Sequence, residues 1–193
     1  MTDLPHIASR LFGTPLLVAR AKLDVILGVL GPRLASHDLE PSGFDTMPSR
    51  ESERTPEGIA IVPVTGTLVS RSGYLGAASG LMSYGDIGDA IENAALDPLV
   101  WGIVLDIDSP GGEVGGLFDL TDRIAAIRRD TGKPIHAVAN EAALSAAYAI
   151  ASAADEITIT QTGEVGSIGV VAVHVDESAA DRQAGLAWSF IHA

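Results

Sequence analysis

Residues 134–155 read PIHAVANEAALSAAYAIASAAD, a β-rich apolar run that passes through Ser145 into a stretch dominated by alanine. The first part predicts a buried strand, and the second predicts a helix because alanine has the highest helix propensity. Ser145 stands at the junction, where a serine serves either as the N-cap of the helix or as a nucleophile. This stretch by itself leaves both interpretations open.

A second stretch, LDIDSPGGEVGG at residues 105–116, shows the same order of strand, sharp turn and helix start. Its P-G-G segment predicts a turn whose backbone N–H groups point into open space and bind an anion. In a parallel sheet this turn and Ser145 would open at the same edge, where the amides of Gly112 and Ala146 could form an oxyanion site. A plain tight turn is the alternative interpretation.

The rest of the chain from Gly58 onward alternates short β-rich runs with helical stretches. Predicted strands lie at residues 59–68, 101–108, 134–139, 156–160, 167–175 and 187–193, and predicted helices at 86–96, 116–130, 141–155 and 176–185. This alternation predicts an α/β domain of mostly parallel strands that are buried on both faces.

The region before Gly58 has a different pattern. Residues 16–31, LLVARAKLDVILGVLG, show near-helical apolar spacing, which predicts an amphipathic helix that packs on the domain or on a partner. The charges at Arg20, Lys22 and Asp24 interrupt it well short of the about 20 apolar residues that a membrane span needs. Residues 35–57 are polar and lack periodicity. We therefore predict an N-terminal helical segment (1–34), a flexible linker (35–57) and one main domain (58–193).

The composition excludes several kinds of chemistry. The 193 residues contain no cysteine, so disulfides and thiolate nucleophiles are excluded and any nucleophile must be an oxygen. The formal net charge of −13 disfavours nucleic-acid binding, because such a surface repels phosphates. Asp106 and Asp108 lack further ligands at metal-binding spacing, and no G-K-[ST] follows the glycines. We expect no metal and no cofactor.

Four motifs in this order resemble the signal peptide peptidase A family of serine peptidases: DSPGG (108–112), A-x-S-A-A-Y (143–148), ADEI (154–157) and GSIGV (166–170). The resemblance covers roughly residues 58–193 and implies a fold related to the Clp protease subunit and to crotonases. The opening PHIASRLFGTPLLVARAK (5–22) and the acidic linker resemble phage head-maturation proteases of the protein C type.

The resemblance implies a role for each site residue. Ser145 corresponds to the nucleophile, Gly112 and Ala146 correspond to the oxyanion donors, and Ser167 corresponds to the serine that orients a lysine base. In the family that lysine follows the strand that here reads SFIHA, and the sequence stops before it, so we expect the 193 residues alone to be inactive. Lys133 is expected at the opposite end of its strand from Ser145. A bulky residue at Gly112 is expected to block acylation without unfolding the domain.

The function that the resemblance implies is a serine endopeptidase with a Ser/Lys dyad and an acyl-enzyme intermediate. For a phage enzyme the substrates would be scaffold, portal or capsid polypeptides. The resemblance further implies a homo-oligomer in the host cytoplasm, inside the prohead, without a membrane span.

Three alternatives stay open at this point. One is a bacterial peptidase that degrades signal peptides, and another is a Clp-type Ser-His-Asp peptidase with His174 as base and Asp176 or Asp181 as its partner. The third is a non-catalytic module that binds scaffold protein. A crotonase-like acyl-CoA enzyme is more distant, since such enzymes combine their glycines with acidic residues.

Overall fold

The fold is given by a computed structural model that describes residues 15–18, 23–24, 52–71, 81–174, 176, 178–185, 187 and 189. The chain divides into two compact units, Pro15–Val171 and a second formed by residues 1–14 with 172–193. The first unit contains the sheet and all four predicted site residues. In the described part of the second unit, one short helix is present, α4 (Ser178–Gln183).

Within the described residues, the first unit forms one eight-stranded sheet. Its strands are β1 (Leu16–Val18), β2 (Glu53–Arg54), β3 (Ile59–Val69), β4 (Leu81–Ser83), β5 (Gly102–Glu113), β6 (Ile135–Leu144), β7 (Glu156–Ile159) and β8 (Glu164–Gly166). The central order is β2, β3, β5, β6, β7. All pairs are parallel except β1 with β5 and β2 with β3. The predicted α/β class with mostly parallel strands is confirmed.

In the described part of the chain, three helices connect the strands: α1 (Tyr84–Leu96), α2 (Leu117–Thr131) and α3 (Ala146–Ser152). The side chain of Ser83 caps α1 by accepting a hydrogen bond from the Asp86 N–H at 3.1 Å. The C-cap of α2 is Gly132, whose φ of 66° suits a residue without a β carbon. The first helix packs on β3 and α2, and α3 packs on β5 and β6.

The core lies along one face of the central strands. Side chains at alternate positions, such as Ile103, Leu105 and Ile107 in β5, are almost completely buried. The intervening Val104 and Asp106 are only half-buried. The prediction that these strands are buried on both faces is therefore wrong for the described residues, since the period-two pattern leaves the second face partly exposed.

Two segments before the predicted domain belong to the sheet instead. Leu16–Val18, expected in the amphipathic helix, forms β1, and Glu53–Arg54, expected in the linker, forms β2. Helical backbone is present at Leu23 and Asp24, and the rest of both segments lies outside the described residues. The helix prediction is wrong at β1 because an exposed strand edge provides backbone partners that apolar periodicity does not reveal.

Two further predictions concern the end of the chain. The strand expected over 167–175 is not formed at residues 167–170, which have no regular secondary structure. Isolated β-bridges are present at Val171 and Val173. The strand expected over 187–193 lies largely outside the described residues. No helix among the described residues is both long and apolar enough to cross a membrane.

Candidate active site

Ser145 occupies a sharp bend between β6 and α3. Its backbone has φ of 57° and ψ of −113°, a conformation that a residue with a β carbon rarely adopts. Such a position costs on the order of 1–3 kcal/mol and persists only where the surrounding structure imposes it. The strand before it and the alanine helix after it supply that constraint, because Ala143, Ala146 and Ala147 are completely buried.

The hydroxyl of Ser145 is buried and has no hydrogen-bond partner among the described residues. Its side chain does not cap α3 either, so the N-cap interpretation of Ser145 is wrong. A buried polar atom without a partner lowers stability by about 1–3 kcal/mol. Strain and an unsatisfied hydroxyl at one residue are typical of a functional site, because neither contributes to stability.

Ser167 lies beside Ser145 through the pairing of β6 with β8. Leu144 and Gly166 are register partners in these parallel strands, so each serine follows directly after a paired residue. The N–H of Ser145 donates to the Gly166 carbonyl at 2.7 Å. Ser167 also has a positive φ, 54°, and its side chain is exposed. The structure thus brings the backbones of both predicted serines together at the carboxyl ends of their strands.

The glycine pair lies within β5 and not in a turn, which corrects the prediction for the P-G-G segment. This strand continues to Glu113, and the bend into α2 comes afterwards. Gly111 has a φ of 97°, and a β carbon added to it would lie 3.0 Å from the β carbon of Ser145. Gly112 follows it and is buried. The end of β5 therefore places Gly111 next to Ser145.

Gly112 also has a packing role that the sequence did not reveal. A β carbon added there would lie 1.8 Å from the Leu68 carbonyl oxygen on β3. That distance is far inside van der Waals contact, and the atom it meets is backbone. The expectation that a bulky residue at Gly112 leaves the domain folded is therefore contradicted.

Ser109, also in the DSPGG motif, is a positioning residue that sequence reasoning missed. It is completely buried, and its hydroxyl donates to the Gly66 carbonyl at 2.7 Å while accepting from the Gly111 N–H at 3.1 Å. The hydroxyl thus fixes the positive-φ glycine beside Ser145. Its position between an aspartate and a proline resembled ordinary turn composition, so the sequence carried little signal for this role.

We expect Ser109→Ala to lower the free energy of unfolding by about 2 kcal/mol, because it leaves the part-buried Gly66 carbonyl and the buried Gly111 N–H without their partner. The matched control is Ser152→Ala in α3, where an exposed hydroxyl donates to the Ala149 carbonyl at 2.7 Å. That change is expected to alter stability by less than about 0.5 kcal/mol. Urea unfolding of both variants gives the comparison, and equal effects would contradict the role assigned to Ser109.

Tyr84 holds the last residue of β5, Glu113, in place. Its hydroxyl donates to the backbone carbonyl of Glu113, and the ring is buried at the start of α1. The Glu113 carboxylate in turn accepts from the Ser70 N–H at 2.8 Å. Burial, and secondarily the negative charge of Glu113, raises the pKa of the Tyr84 phenol above its ordinary value. The folded state therefore requires a neutral tyrosine at the end of β5.

This raised pKa predicts a stability loss at alkaline pH. The unfolded chain releases the phenolic proton near pH 10, whereas the folded chain still holds it at that pH. Tyr84 therefore contributes its full share to the free energy of unfolding below about pH 10, and a decreasing share above it. Tyr84→Phe is expected to flatten that decline while losing about 1 kcal/mol at neutral pH with the hydrogen bond. Urea unfolding at a series of pH values tests this, and parallel alkaline declines in both proteins would contradict it.

Lys133 lies where the sequence predicted, at the opposite end of β6 from Ser145. Ten residues separate the two ends of that strand, a length of about 30 Å. The Lys133 ammonium donates to the Asp97 carbonyl at 2.7 Å. It is a structural residue there and cannot serve Ser145 as a base. Lys22 lies outside the described residues.

His174 and Asp176, proposed for the Clp-type alternative, lie in the second unit and are exposed. Asp176 accepts a hydrogen bond from the Ser178 N–H at 2.9 Å at the start of α4. Hydrogen bonds from Ser178, and to a smaller extent the charge of His174, lower the pKa of Asp176. This carboxylate has a local capping role, and the triad remains a prediction.

In the described part of the chain, no group of three or more His, Asp or Glu side chains is arranged to hold a metal ion. Asp108 is exposed on β5, opposite Thr65, and the Asp106 carboxylate accepts from the Asn140 amide at 3.1 Å.

Comparison with known proteins finds similarity over the whole chain and over its C-terminal third. Residues 127–193 match the model of peptidase family S49. The whole chain is 38% identical over 211 residues to capsid assembly protease C of Escherichia phage lambda, of which it covers 48%. It is 36% identical over 208 residues to head-tail preconnector protein GP5 of Enterobacteria phage P21, with 98% of this chain and 41% of that protein covered. The chain thus spans less than half the length of these relatives.

More distant similarities extend over part of the chain. Protease 4 of Salmonella typhi is 37% identical over 83 residues, which are 43% of this chain and 13% of that protein. Among solved structures, an enoyl-CoA hydratase/isomerase family member has a TM-score of 0.43 at 18% identity, covering 72% of this chain and 52% of the other. A Pseudomonas malonate decarboxylase has a TM-score of 0.45 at 16% identity, covering 83% and 65%. Both TM-scores are low.

Proposed function

We propose that this chain is a serine endopeptidase of phage head maturation, because residues 127–193 match peptidase family S49 and the chain is similar to a phage capsid assembly protease and to a phage head-tail preconnector protein. The observation that carries the proposal is the state of Ser145. A buried hydroxyl without a partner among the described residues, on backbone with a positive φ, stabilises neither the helix nor the core, but it suits a nucleophile.

The proposed reaction forms and then hydrolyses an acyl-enzyme. The Ser145 oxygen attacks the carbonyl carbon of the scissile peptide while its proton passes to a neutral amine base. The amides of Gly112 and Ala146 hold the oxyanion of the tetrahedral intermediate, which collapses as the leaving amine takes up the proton. Water then attacks the acyl-enzyme ester while the amine base takes its proton. The base returns this proton to the Ser145 oxygen, and the new carboxyl terminus of the substrate is released.

For the base we propose a lysine, oriented by Ser167, from the segment that follows residue 193 in the family pattern. A lysine serves as a base only where its surroundings lower its pKa, and Lys133 is held at the other end of β6. A polypeptide of residues 1–193 alone is therefore expected to cleave peptides at no useful rate. Binding and oxyanion stabilisation would leave only a small residual acceleration.

The proposed substrates are the scaffold, portal or capsid polypeptides of a phage head, and the proposed location is the host cytoplasm inside the prohead. Two residues of the GSIGV motif, Ile168 and Val170, have large exposed apolar side chains. We propose that they contribute to the contacts of the homo-oligomer. The net charge of −13 disfavours nucleic acid as a partner.

Cleavage of a head protein tests the proposal. A chain lengthened past residue 193 through the family lysine is incubated with purified scaffold protein, and the products are separated and identified by mass spectrometry. We expect discrete fragments with the lengthened chain and none with residues 1–193. Stable binding of intact scaffold by a folded, lengthened chain would instead favour the non-catalytic binding module.

A further inference from the structure

β1 lies along the strand that carries the proposed oxyanion donor. It pairs antiparallel with the end of β5, and Leu17 lies opposite Gly112. On its other edge, Leu16 exchanges two backbone hydrogen bonds with Val171, each of 2.8 Å. An extended segment of three residues is thus held between two backbone edges, which is how proteins bind peptides by strand addition.

The hydrogen-bonding pattern aims the Leu17 carbonyl at Gly112. Because Leu16 directs its N–H and carbonyl away from β5, the next residue directs its own toward β5. The Val114 N–H approaches the Pro15 carbonyl at 3.4 Å, which makes Leu17 and Gly112 the following hydrogen-bonding pair of the ladder. The amide proposed to hold the oxyanion therefore faces a carbonyl of the chain itself.

That carbonyl also lies close to Ser145. The position that a β carbon would take on Gly111 is 2.3 Å from the Leu17 carbonyl oxygen and 3.0 Å from the Ser145 β carbon. The side chains of Leu16, Leu17 and Val18 are all buried, with exposures of 7%, 8% and 5%. The β1 strand is thus an apolar, extended peptide whose Leu17 carbonyl lies beside Ser145.

We propose that β1 is an intramolecular occupant of the peptide-binding groove of this site. The groove, defined as the backbone edges of Gly111–Glu113 and Val171, accepts an extended polypeptide with successive apolar side chains in antiparallel orientation. The Leu17 carbonyl takes the place of a scissile carbonyl, so β1 must leave before a substrate binds. The inference rests on the proposed function and adds a self-blocking segment to it.

A redox-controlled lock makes the inference testable. Leu16 and Val171 form a hydrogen-bonded antiparallel pair, whose α carbons are about 5.5 Å apart, within the range of about 4.4–6.8 Å that a disulfide spans. The chain contains no cysteine, so Leu16→Cys with Val171→Cys introduces the only thiols. Oxidation holds β1 in the groove, whereas Leu17→Pro releases it by removing an N–H that faces β5.

The measurement is the fluorescence anisotropy of a labelled peptide with the sequence of residues 13–20, GTPLLVAR. It is made in a Ser145→Ala background, so that no cleavage intervenes. We expect the peptide to bind the folded Leu17→Pro variant and the reduced double-cysteine variant at least about tenfold more tightly than the oxidised double-cysteine variant. The reason is that the apparent affinity depends on the fraction of molecules in which β1 has left the groove. A control peptide with proline in place of its second leucine should not bind.

Equal affinity for the oxidised and reduced forms would overturn the inference, as would absence of binding to a folded Leu17→Pro protein. If Leu17→Pro does not fold, the two redox states of the cysteine pair decide alone, and absence of binding to both counts against the groove. Because binding requires no catalysis, lock-dependent binding in a lengthened chain that never cleaves would support the groove while contradicting the proposed peptidase.

Discussion

Ser145→Ala is expected to reduce peptide cleavage by a lengthened chain by a factor on the order of 10⁴–10⁶, the loss that follows removal of a serine nucleophile. The same change is expected to leave the free energy of unfolding unchanged or to raise it by up to about 2 kcal/mol, because the lost hydroxyl is buried without a partner among the described residues. Initial cleavage rates and urea unfolding measure the two effects.

The direction of the stability change distinguishes a nucleophile from a cap. Loss of an N-cap side chain would lower the free energy of unfolding by about 1 kcal/mol. Ser152→Ala, at an exposed position in the last turn of the same helix, is the matched control and should retain full cleavage. A Ser145→Ala protein that is destabilised yet active would contradict the role assigned to this serine.

Gly112→Ala is expected to destabilise the domain by at least about 3 kcal/mol, since the added methyl group would meet a backbone oxygen that can move only with its strand. The nearest atom is the Leu68 carbonyl oxygen, 1.8 Å from the new β carbon. Urea unfolding should show a large shift of the midpoint, accompanied by loss of any activity.

Gly115→Ala provides the control for that experiment. It lies in the exposed bend after β5, and an added β carbon there meets no atom within 4 Å. Its effect on the free energy of unfolding is expected to stay within about 0.5 kcal/mol. Comparable stability of the two alanine variants would show that close packing of β5 on β3 does not explain Gly112.

Local pattern predicted the elements around the site well. The apolar run before Ser145 and the alanines after it predict a strand and a helix, and both elements are present. The helix prediction is wrong over 141–144, because these residues continue β6 beside β8. The predicted meeting of two strand ends also holds, because parallel strands place their carboxyl ends at the same edge. The exposed serine of the GSIGV motif could be placed there only through the family resemblance.

The features that were missed depend on contacts distant in sequence. Gly111 and Gly112 have turn composition, but β1 and β3 on either side pair with them and keep them within the sheet. Leu17 has helical apolar spacing, yet the free edge of β5 binds it as a strand. The role of Ser109 depends on Gly66, which lies 43 residues earlier in the chain. No local pattern contains such information.

The central claim is that Ser145 is the nucleophile, and the most direct test is to locate a covalent adduct on the protein. A lengthened chain is treated with a serine-directed acylating probe, digested and analysed by tandem mass spectrometry. We predict a single adduct on Ser145, absent from the Ser145→Ala protein and strongly reduced in residues 1–193 alone. An adduct on another residue, or labelling that persists in the Ser145→Ala protein, would contradict the assignment.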